Sequence, residues 1–196
     1  IAVRSGHGVG KSALMSWLLP LFITTRTPAK VMCTAPSAHQ LYDILWAELS
    51  IWQRKALMNF QSLTKITTDS FYLIGAQNEN FANCRTARKD QPEALQGAHS
   101  ENMMFLIDEA SGIPEIIFET AEGSMSTEGA KVLMFSNPTR TSGYFFNAFH
   151  KNRINWTTFK VSCTESSQVR QGYIDEIART YGLESNMYKI RVLGEF

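Results

Sequence analysis

The chain has 196 residues, enough for one domain with a buried core, and its 44% hydrophobic and 19% charged residues are typical of a globular protein. A formal net charge of +1 excludes a global attraction to nucleic acid or anionic membranes, so polyanion contacts must come from local patches. Its three cysteines stand far apart, which argues against a disulfide framework and against a cysteine-based metal site.

Apolar segments of strand and helix type alternate along the chain. The predicted strands span residues 1–4, 30–35, 63–68, 70–75, 103–107, 131–135 and 156–161. The predicted helices span residues 11–24, 114–122, 143–152, 169–181 and 184–192. Another long helix is predicted after residue 35, with Ser37 as its cap, and its buried face is predicted to carry Leu41, Ile44, Leu45, Leu49 and Trp52. Residues 76–91 are predicted to form a polar loop. This alternation indicates an α/β fold with a mostly parallel β-sheet and helices on both faces.

The stretch SGHGVGKSA approximates the phosphate-loop pattern G-x-x-x-x-G-K-[ST], with Ser5 in place of the first glycine. Small residues let backbone N–H groups turn inward around phosphates, and the following helix directs its positive end at them. Lys11 would then reach the β- and γ-phosphates, and the Ser12 hydroxyl would bind Mg²⁺. The predicted nucleotide-binding residues are Ser5, Gly6, His7, Gly8, Val9, Gly10, Lys11, Ser12 and Ala13. Taken alone, the stretch also fits a glycine turn with an exposed lysine.

A second motif supplies carboxylates at the end of a buried strand. The apolar run MMFLI leads directly into Asp108 and Glu109. Asp108 is predicted to hold Mg²⁺ through the metal's water shell, and Glu109 to orient and deprotonate the attacking water, so that Lys11 and Glu109 are the catalytic residues. The alternative is that the two acids only begin the next loop.

A third motif follows the apolar strand KVLMF, where Ser136 and Asn137 come directly before a proline. Small polar residues at this place could sense the γ-phosphate and transmit its loss to a moving element. An ordinary Asn-Pro turn explains the same residues equally well.

Together, the stretches SGHGVGKSAL, TAPSAHQL, PEALQGAHSENMMFLIDEASGIPE, VLMFSNPTRTSGYFF and RVLGEF resemble the ATPase domain of the terminase large subunit of tailed bacteriophages and prophages. The resemblance implies a P-loop NTPase fold with a RecA-like core of the additional-strand type. It also implies that ATP and Mg²⁺ are bound, and that ATP hydrolysis drives double-stranded DNA into a procapsid. Ser136 and Asn137 match the family's coupling motif.

The resemblance also sets expectations for domains and partners. Residues 1–196 are expected to be a fragment that lacks an upstream adenine-binding segment and a downstream RNase H-like nuclease domain. The expected partners are DNA, the portal protein and the small terminase subunit, in a homo-oligomeric ring built from monomeric domains. The expected location is the cytoplasm of the bacterial host, without any membrane. Relatives often carry a trans-acting basic residue where this chain has His7, so the arginine-finger candidates are Arg4, Arg85, Arg88 and Arg140.

Two other functions are compatible with the motifs. A helicase or translocase of superfamily 2 type would use the same motifs, but it needs a second motor lobe. A regulatory nucleotide-binding module would switch without turnover, and the carboxylate at Glu109 argues against it.

Overall fold

A computed structural model of the chain describes residues 1–88, 99–124 and 128–196. The strands are β1 (Ala2–Ser5), β2 (Ala29–Thr34), β3 (Thr64–Ile66), β4 (Ser70–Leu73), β5 (Asn80–Cys84), β6 (Asn102–Ile107), β7 (Lys131–Ser136) and β8 (Thr158–Val161). The helices are α1 (Lys11–Thr25), α2 (Ala47–Lys55), α3 (Met58–Leu63), α4 (Glu115–Ser124), α5 (Tyr144–Phe149), α6 (Gln171–Tyr181) and α7 (Asn186–Tyr188). Two of these helices adjoin π-helical segments: His39–Trp46 leads into α2, and Lys189–Leu193 continues α7.

The chain folds into two compact units. The first comprises Ile1–Lys11, Glu109–Gly112 and Leu133–Phe196, and the second comprises Ser12–Asp108 and Ile113–Val132.

The first unit contains three parallel strands in the order β7-β1-β8. In this register Arg4 is paired with Ser136 on one side, and Ser5 with Val161 on the other. Parallel strands bring their carboxyl ends to one edge of the sheet. The residues that follow β1 and β7 therefore emerge side by side at this edge.

A small apolar cluster in the first unit lies beside the turn that follows β1. Its buried members are Cys163, Ile174, Ile177, Tyr188 and Val192. Val9, from the turn after β1, packs against this cluster as a partly buried residue. Residues near the end of the chain thus form part of the surroundings of residues near its beginning.

The described part of the second unit contains five strands in the order β3-β4-β5-β2-β6. Strand β2 runs parallel to β5 and β6, whereas β4 runs antiparallel to β3 and β5, so that β3 and β4 form a hairpin. Every residue from Met103 to Ile107 in β6 is buried, as expected for a strand covered on both faces.

The prediction of a loop over residues 76–91 is wrong, because β5 lies within it. Asn80, Ala82 and Cys84 alternate inward, but none of them is a β-branched or aromatic residue, so the strand signal in the sequence is weak. Asn80 is fully buried, and its amide nitrogen lies 2.8 Å from the Ile23 carbonyl oxygen and 2.6 Å from that of Arg26, at the end of α1. The last residues of the predicted loop, 89–91, lie outside the described residues.

The helix predicted after Ser37 begins as a π-helix, and this changes which residues face the core. Leu41 and Leu45 are fully buried, but Ile44 is 39% exposed, so its predicted place on the buried face is wrong. A π-helix bonds residue i to i+5 and has a wider turn, which moves the i+3 position away from the core. Ser37 does contribute near the start, since its hydroxyl oxygen accepts a hydrogen bond from the Gln40 N–H at 3.3 Å.

Candidate active site

The segment between β1 and α1 has the backbone of a phosphate loop. Strand β1 ends at Ser5 and α1 begins at Lys11, so the predicted strand–turn–helix context is present. Gly8 and Gly10 have φ angles of +73° and +95°, a region that residues with side chains rarely adopt. The turn leads directly into the N-terminus of α1, and the N-terminus of a helix favours anions.

Gly6 is required for a different reason, since the backbone packs closely against it. A Cβ at this position would lie 2.5 Å from the Cys163 sulfur and 2.5 Å from the Val192 carbonyl oxygen. The next residue, His7, donates its backbone N–H to the Arg191 carbonyl at 2.8 Å, and the Cys163 thiol donates to the His7 carbonyl at 3.2 Å. The π-helical segment Lys189–Leu193 and Cys163 thus support this side of the loop, and we call these residues the loop floor.

The Lys11 ammonium group is surrounded by oxygen acceptors from the first unit. Its Nζ donates to the Ser5 hydroxyl at 3.2 Å, to the Gly6 carbonyl at 3.3 Å and to the Asn137 Oδ1 at 3.3 Å. Asn137 in turn donates its amide N–H to the Ser5 carbonyl at 2.6 Å. Asn137 and Ser5 are buried, so these contacts fix the lysine against the end of β1.

The acidic turn after β6 adopts an uncommon backbone conformation. Glu109 has a φ angle of +47°, which residues with side chains adopt at a cost of about 1–2 kcal/mol. The Ser136 hydroxyl lies 3.2 Å from the Glu109 Oε2 and can donate to it, and the Ser111 N–H donates to the Ser136 oxygen at 3.1 Å. Strain of this kind is retained where surrounding contacts determine the conformation, which is common at functional sites.

Residues 136–140, which comprise the last residue of β7 and the loop after it, thus contact both residues of the predicted catalytic pair. The Ser136 hydroxyl lies within donating distance of Glu109, and the next residue, Asn137, accepts a hydrogen bond from Lys11. From the sequence alone, a role as γ-phosphate sensor and an ordinary Asn-Pro turn explain these two residues equally well. Adjacent side chains thus lie against the lysine and the carboxylate, and a sensor role for them stays a prediction.

The two predicted Mg²⁺ ligands, Ser12 and Asp108, belong to the second unit. Ser12 lies in the first turn of α1, and Asp108 follows β6 as a buried residue whose backbone N–H donates to the Thr34 carbonyl at 2.9 Å. A hydroxyl and a carboxylate are hard oxygen donors, the type that Mg²⁺ takes together with water and phosphate oxygens. The donor chemistry therefore fits magnesium. Among the described residues, no group of three or more His, Cys, Asp or Glu side chains forms a metal site by itself.

The arginine-finger candidates differ in their surroundings. The Arg4 guanidinium lies 5.3 Å from the ring centroids of both Phe149 and Phe196, so it is engaged within its own unit. Arg85, Arg88 and Arg140 are exposed. Which of them acts on a neighbouring subunit stays a prediction.

His7, in the place where relatives often carry a basic residue, is not a cation at neutral pH. Burial, with Lys11 and Arg191 nearby, lowers the pKa of His7 below its ordinary value of 6.5. The imidazole is therefore neutral at pH 7.

Two sets of site residues were missed by the sequence analysis. Cys163, Arg191 and Val192 of the loop floor act through a thiol and two backbone carbonyls, for which a sequence carries no local signal. Ser111 is the second case, because its position two residues after Glu109 was the one feature of the sequence that could have indicated a place in the site.

The sheet, the glycine turn and Lys11 at the start of α1 define an α/β protein of the P-loop NTPase class with a RecA-like fold. The sequence model of the family "Terminase large subunit, T4likevirus-type, N-terminal" matches residues 4–196. The chain therefore belongs to the terminase large subunit family, as the sequence motifs predicted. A protein of Enterobacteria phage P7 described as a probable terminase large subunit is 31% identical over 206 residues, which cover 100% of this chain and 42% of that relative.

Solved structures with similar folds include two phage terminases. The large terminase of a thermophilic bacteriophage in complex with ADP has a TM-score of 0.76 at 14% identity, over 98% of this chain and 47% of that one. The large terminase ATPase domain of Thermus phage P74-26 has a TM-score of 0.72 at 16% identity, over 100% of this chain and 87% of that one. These matches confirm the predicted fold class, a mostly parallel sheet with flanking helices. The chain spans less than half the length of the phage P7 protein and of the terminase in the ADP complex.

Within the described residues, no helix combines the length and the apolar character needed to cross a bilayer.

Proposed function

We propose that this chain is the ATP-hydrolysing motor domain of a DNA-packaging terminase, which drives double-stranded DNA into a procapsid. The observation that carries the proposal is the contact of one loop with both Lys11 and Glu109, through Asn137 and Ser136. A site in which phosphate binding and water activation share one loop is suited to turnover. Residues 136–140 are also in direct contact with Lys11 and Glu109, the two residues whose interactions we expect to change during hydrolysis.

Lys11 and Glu109 divide the chemistry between charge neutralisation and proton transfer. The Lys11 ammonium group is charged and already surrounded by oxygen acceptors, the type of atom that the β- and γ-phosphates would present. Glu109 accepts a proton from a water molecule whose oxygen attacks the γ-phosphorus. The bond from that phosphorus to the bridging oxygen breaks, and ADP leaves with the electron pair.

Ser12 and Asp108 would hold Mg²⁺, which when bound neutralises charge on the β- and γ-phosphate oxygens. The Ser12 hydroxyl belongs to the first turn of α1, and the Asp108 carboxylate directly follows β6.

We further propose that the domain works in a homo-oligomeric ring with the portal protein and the small terminase subunit, in the cytoplasm of the bacterial host. Exposed Arg140 is the last of residues 136–140, the segment that contacts Lys11 and Glu109, which makes it the arginine-finger candidate best placed to connect this segment with the site of a neighbouring subunit. Hydrolysis by the isolated domain should then be slow, because a trans-acting arginine contributes about 10³-fold or more.

The test compares Lys11→Ala and Glu109→Gln with the wild type in the full-length subunit, with ADP binding and ATP turnover measured in the presence of double-stranded DNA. Glu109→Gln should keep ADP binding and lose about 10²- to 10⁴-fold in turnover, because it removes only the proton acceptor. Lys11→Ala should weaken binding as well.

Two exposed residues of the first unit provide matched controls for the same substitutions. Lys151→Ala and Glu176→Gln should both hydrolyse ATP at the wild-type rate. Wild-type turnover by Glu109→Gln would show that another group activates the water. A wild type that binds ADP but never turns over ATP would favour the regulatory module instead.

A further inference from the structure

The short turn that follows Glu109 is hydrogen-bonded through Ser111 to residues 136–140, the last residue of β7 and the loop after it. This serine lies in the 3₁₀ turn Ala110–Gly112 and is only 7% exposed. Its backbone N–H donates to the Ser136 hydroxyl oxygen at 3.1 Å. Its side-chain oxygen accepts from the Thr139 hydroxyl at 3.1 Å and from the Arg140 backbone N–H at 3.1 Å. A single residue therefore contacts both ends of residues 136–140.

The backbone bond of Ser111 bears directly on the contact with Glu109. The Ser136 hydroxyl has one proton and two acceptors within reach, the Glu109 Oε2 at 3.2 Å and the Asn137 carbonyl at 2.8 Å. Because the Ser111 N–H occupies a lone pair of the Ser136 oxygen, it fixes the oxygen from which that proton is donated. The position of Glu109 thus depends on how closely residues 136–140 stay against the turn.

The side-chain bonds of Ser111 keep the two segments together. Arg140 is exposed at its side chain, whereas its backbone N–H is directed at the Ser111 hydroxyl oxygen. Without that oxygen, the Arg140 N–H and the Thr139 hydroxyl would both lose an acceptor. Both donors belong to exposed residues, so water would replace the lost acceptor, but water would not hold residues 139 and 140 against the buried Ser111.

We propose that Ser111 is a positioning residue, whose hydroxyl holds residues 136–140 against the acidic turn so that Ser136 stays bonded to Glu109. The inference rests on the proposed function, because Glu109 is the proton acceptor there. Ser111 touches neither Lys11 nor the phosphate loop among its hydrogen bonds within the described residues, so its effect should fall on turnover and leave nucleotide binding intact.

The experiment measures kcat and KM for ATP, the dissociation constant for ADP and the melting temperature of full-length Ser111→Ala and wild type. The expected kcat is about 5- to 30-fold lower, the equivalent of one or two kcal/mol, with KM and ADP affinity within about twofold of wild type. Ser111→Thr, which keeps a hydroxyl, should recover most of the rate. Ser166→Ala is the matched control, since its hydroxyl also accepts a backbone N–H, from Gln168, outside the site.

Three results would overturn the proposal: a wild-type kcat in Ser111→Ala, a loss confined to KM or ADP affinity, or no recovery in a folded Ser111→Thr. If Ser111→Ala does not fold, Thr139→Val carries the test, because it removes one donor to the same oxygen. It should lower kcat about two- to fivefold, and an unchanged kcat would then refute the role of Ser111. Failure of the proposed function itself looks different, since the wild type would then show no turnover.

Discussion

The phosphate loop and the acidic turn are both held in uncommon backbone conformations, but by different means. The phosphate loop rests on the loop floor, where Gly6 packs against Cys163 and Val192 without room for a methyl group. The acidic turn is held by hydroxyl groups, through Ser136 and Ser111. One conformation is kept by close packing and the other by a short hydrogen-bond network.

This difference indicates how each region should respond to change. Packed backbone has few alternatives, so a substitution in the loop should lower the stability of the fold and nucleotide binding together. A hydroxyl network can lose one member while the backbone folds normally, so a substitution there should lower turnover first. The loop is therefore built as a rigid cradle, whereas the acidic turn can change its contacts during the cycle.

Gly6→Ala should give the largest effect. The added methyl would overlap the Val192 carbonyl and the Cys163 sulfur, both of which belong to the loop floor and cannot move independently of it. We expect a loss of about 3 kcal/mol in the free energy of unfolding, measured by urea denaturation of the nucleotide-free protein.

Gly10→Ala is the matched comparison within the same loop. Apart from Gly10 and its two chain neighbours, none of the described residues has an atom within 4 Å of the added methyl group, and the φ angle of +95° is what opposes the substitution. The loss should therefore be about 1–2 kcal/mol. Equal losses for the two variants would mean that backbone strain, rather than packing on the loop floor, determines the stability of the loop.

Ser136→Ala tests the other side of the comparison. It removes the donor to Glu109 and the acceptor of the Ser111 N–H, so kcat for ATP should fall about tenfold. ADP affinity, measured by calorimetry, should stay near the wild-type value. A loss of ADP affinity as large as the loss of kcat would show that the two regions do not respond separately.

Much of this comparison could be predicted from the sequence, but only for residues that carry a local pattern. The glycines, Lys11 and the apolar run before Asp108 follow from spacing and composition, and the structure places them on the predicted elements. The family was predicted from the combination of motifs, and the match of the family's sequence model to residues 4–196 confirms it. The residues 92–98 of the quoted PEALQGAH segment lie outside the described residues.

What could not be predicted depends on long-range contacts that leave no local pattern. The loop floor joins His7 to Arg191 through backbone atoms, which every residue type possesses. The buried Asn80 side chain in β5 has polar partners at the end of α1, and without those partners its sequence is typical of a loop. In both cases tertiary contacts decide the structure, and the sequence alone indicates only that the residues are compatible with it.

The smallest effect is expected from a pH experiment on His7, which tests whether the loop floor keeps water away from the His7 imidazole. Folding lowers the pKa of His7, mainly through burial, so the folded state holds its imidazole neutral. In the unfolded chain, His7 binds a proton near its ordinary pKa of 6.5. The contribution of the neutral His7 imidazole to the free energy of unfolding is therefore fully present above pH 6.5, and it is lost as the pH falls through the lowered pKa of the folded state. Between pH 7.5 and pH 5, the free energy of unfolding should therefore fall more for the wild type than for His7→Gln, as measured in urea at both pH values. An equal fall in the free energy of unfolding of the two proteins would mean that water reaches the His7 imidazole from the side of Arg191.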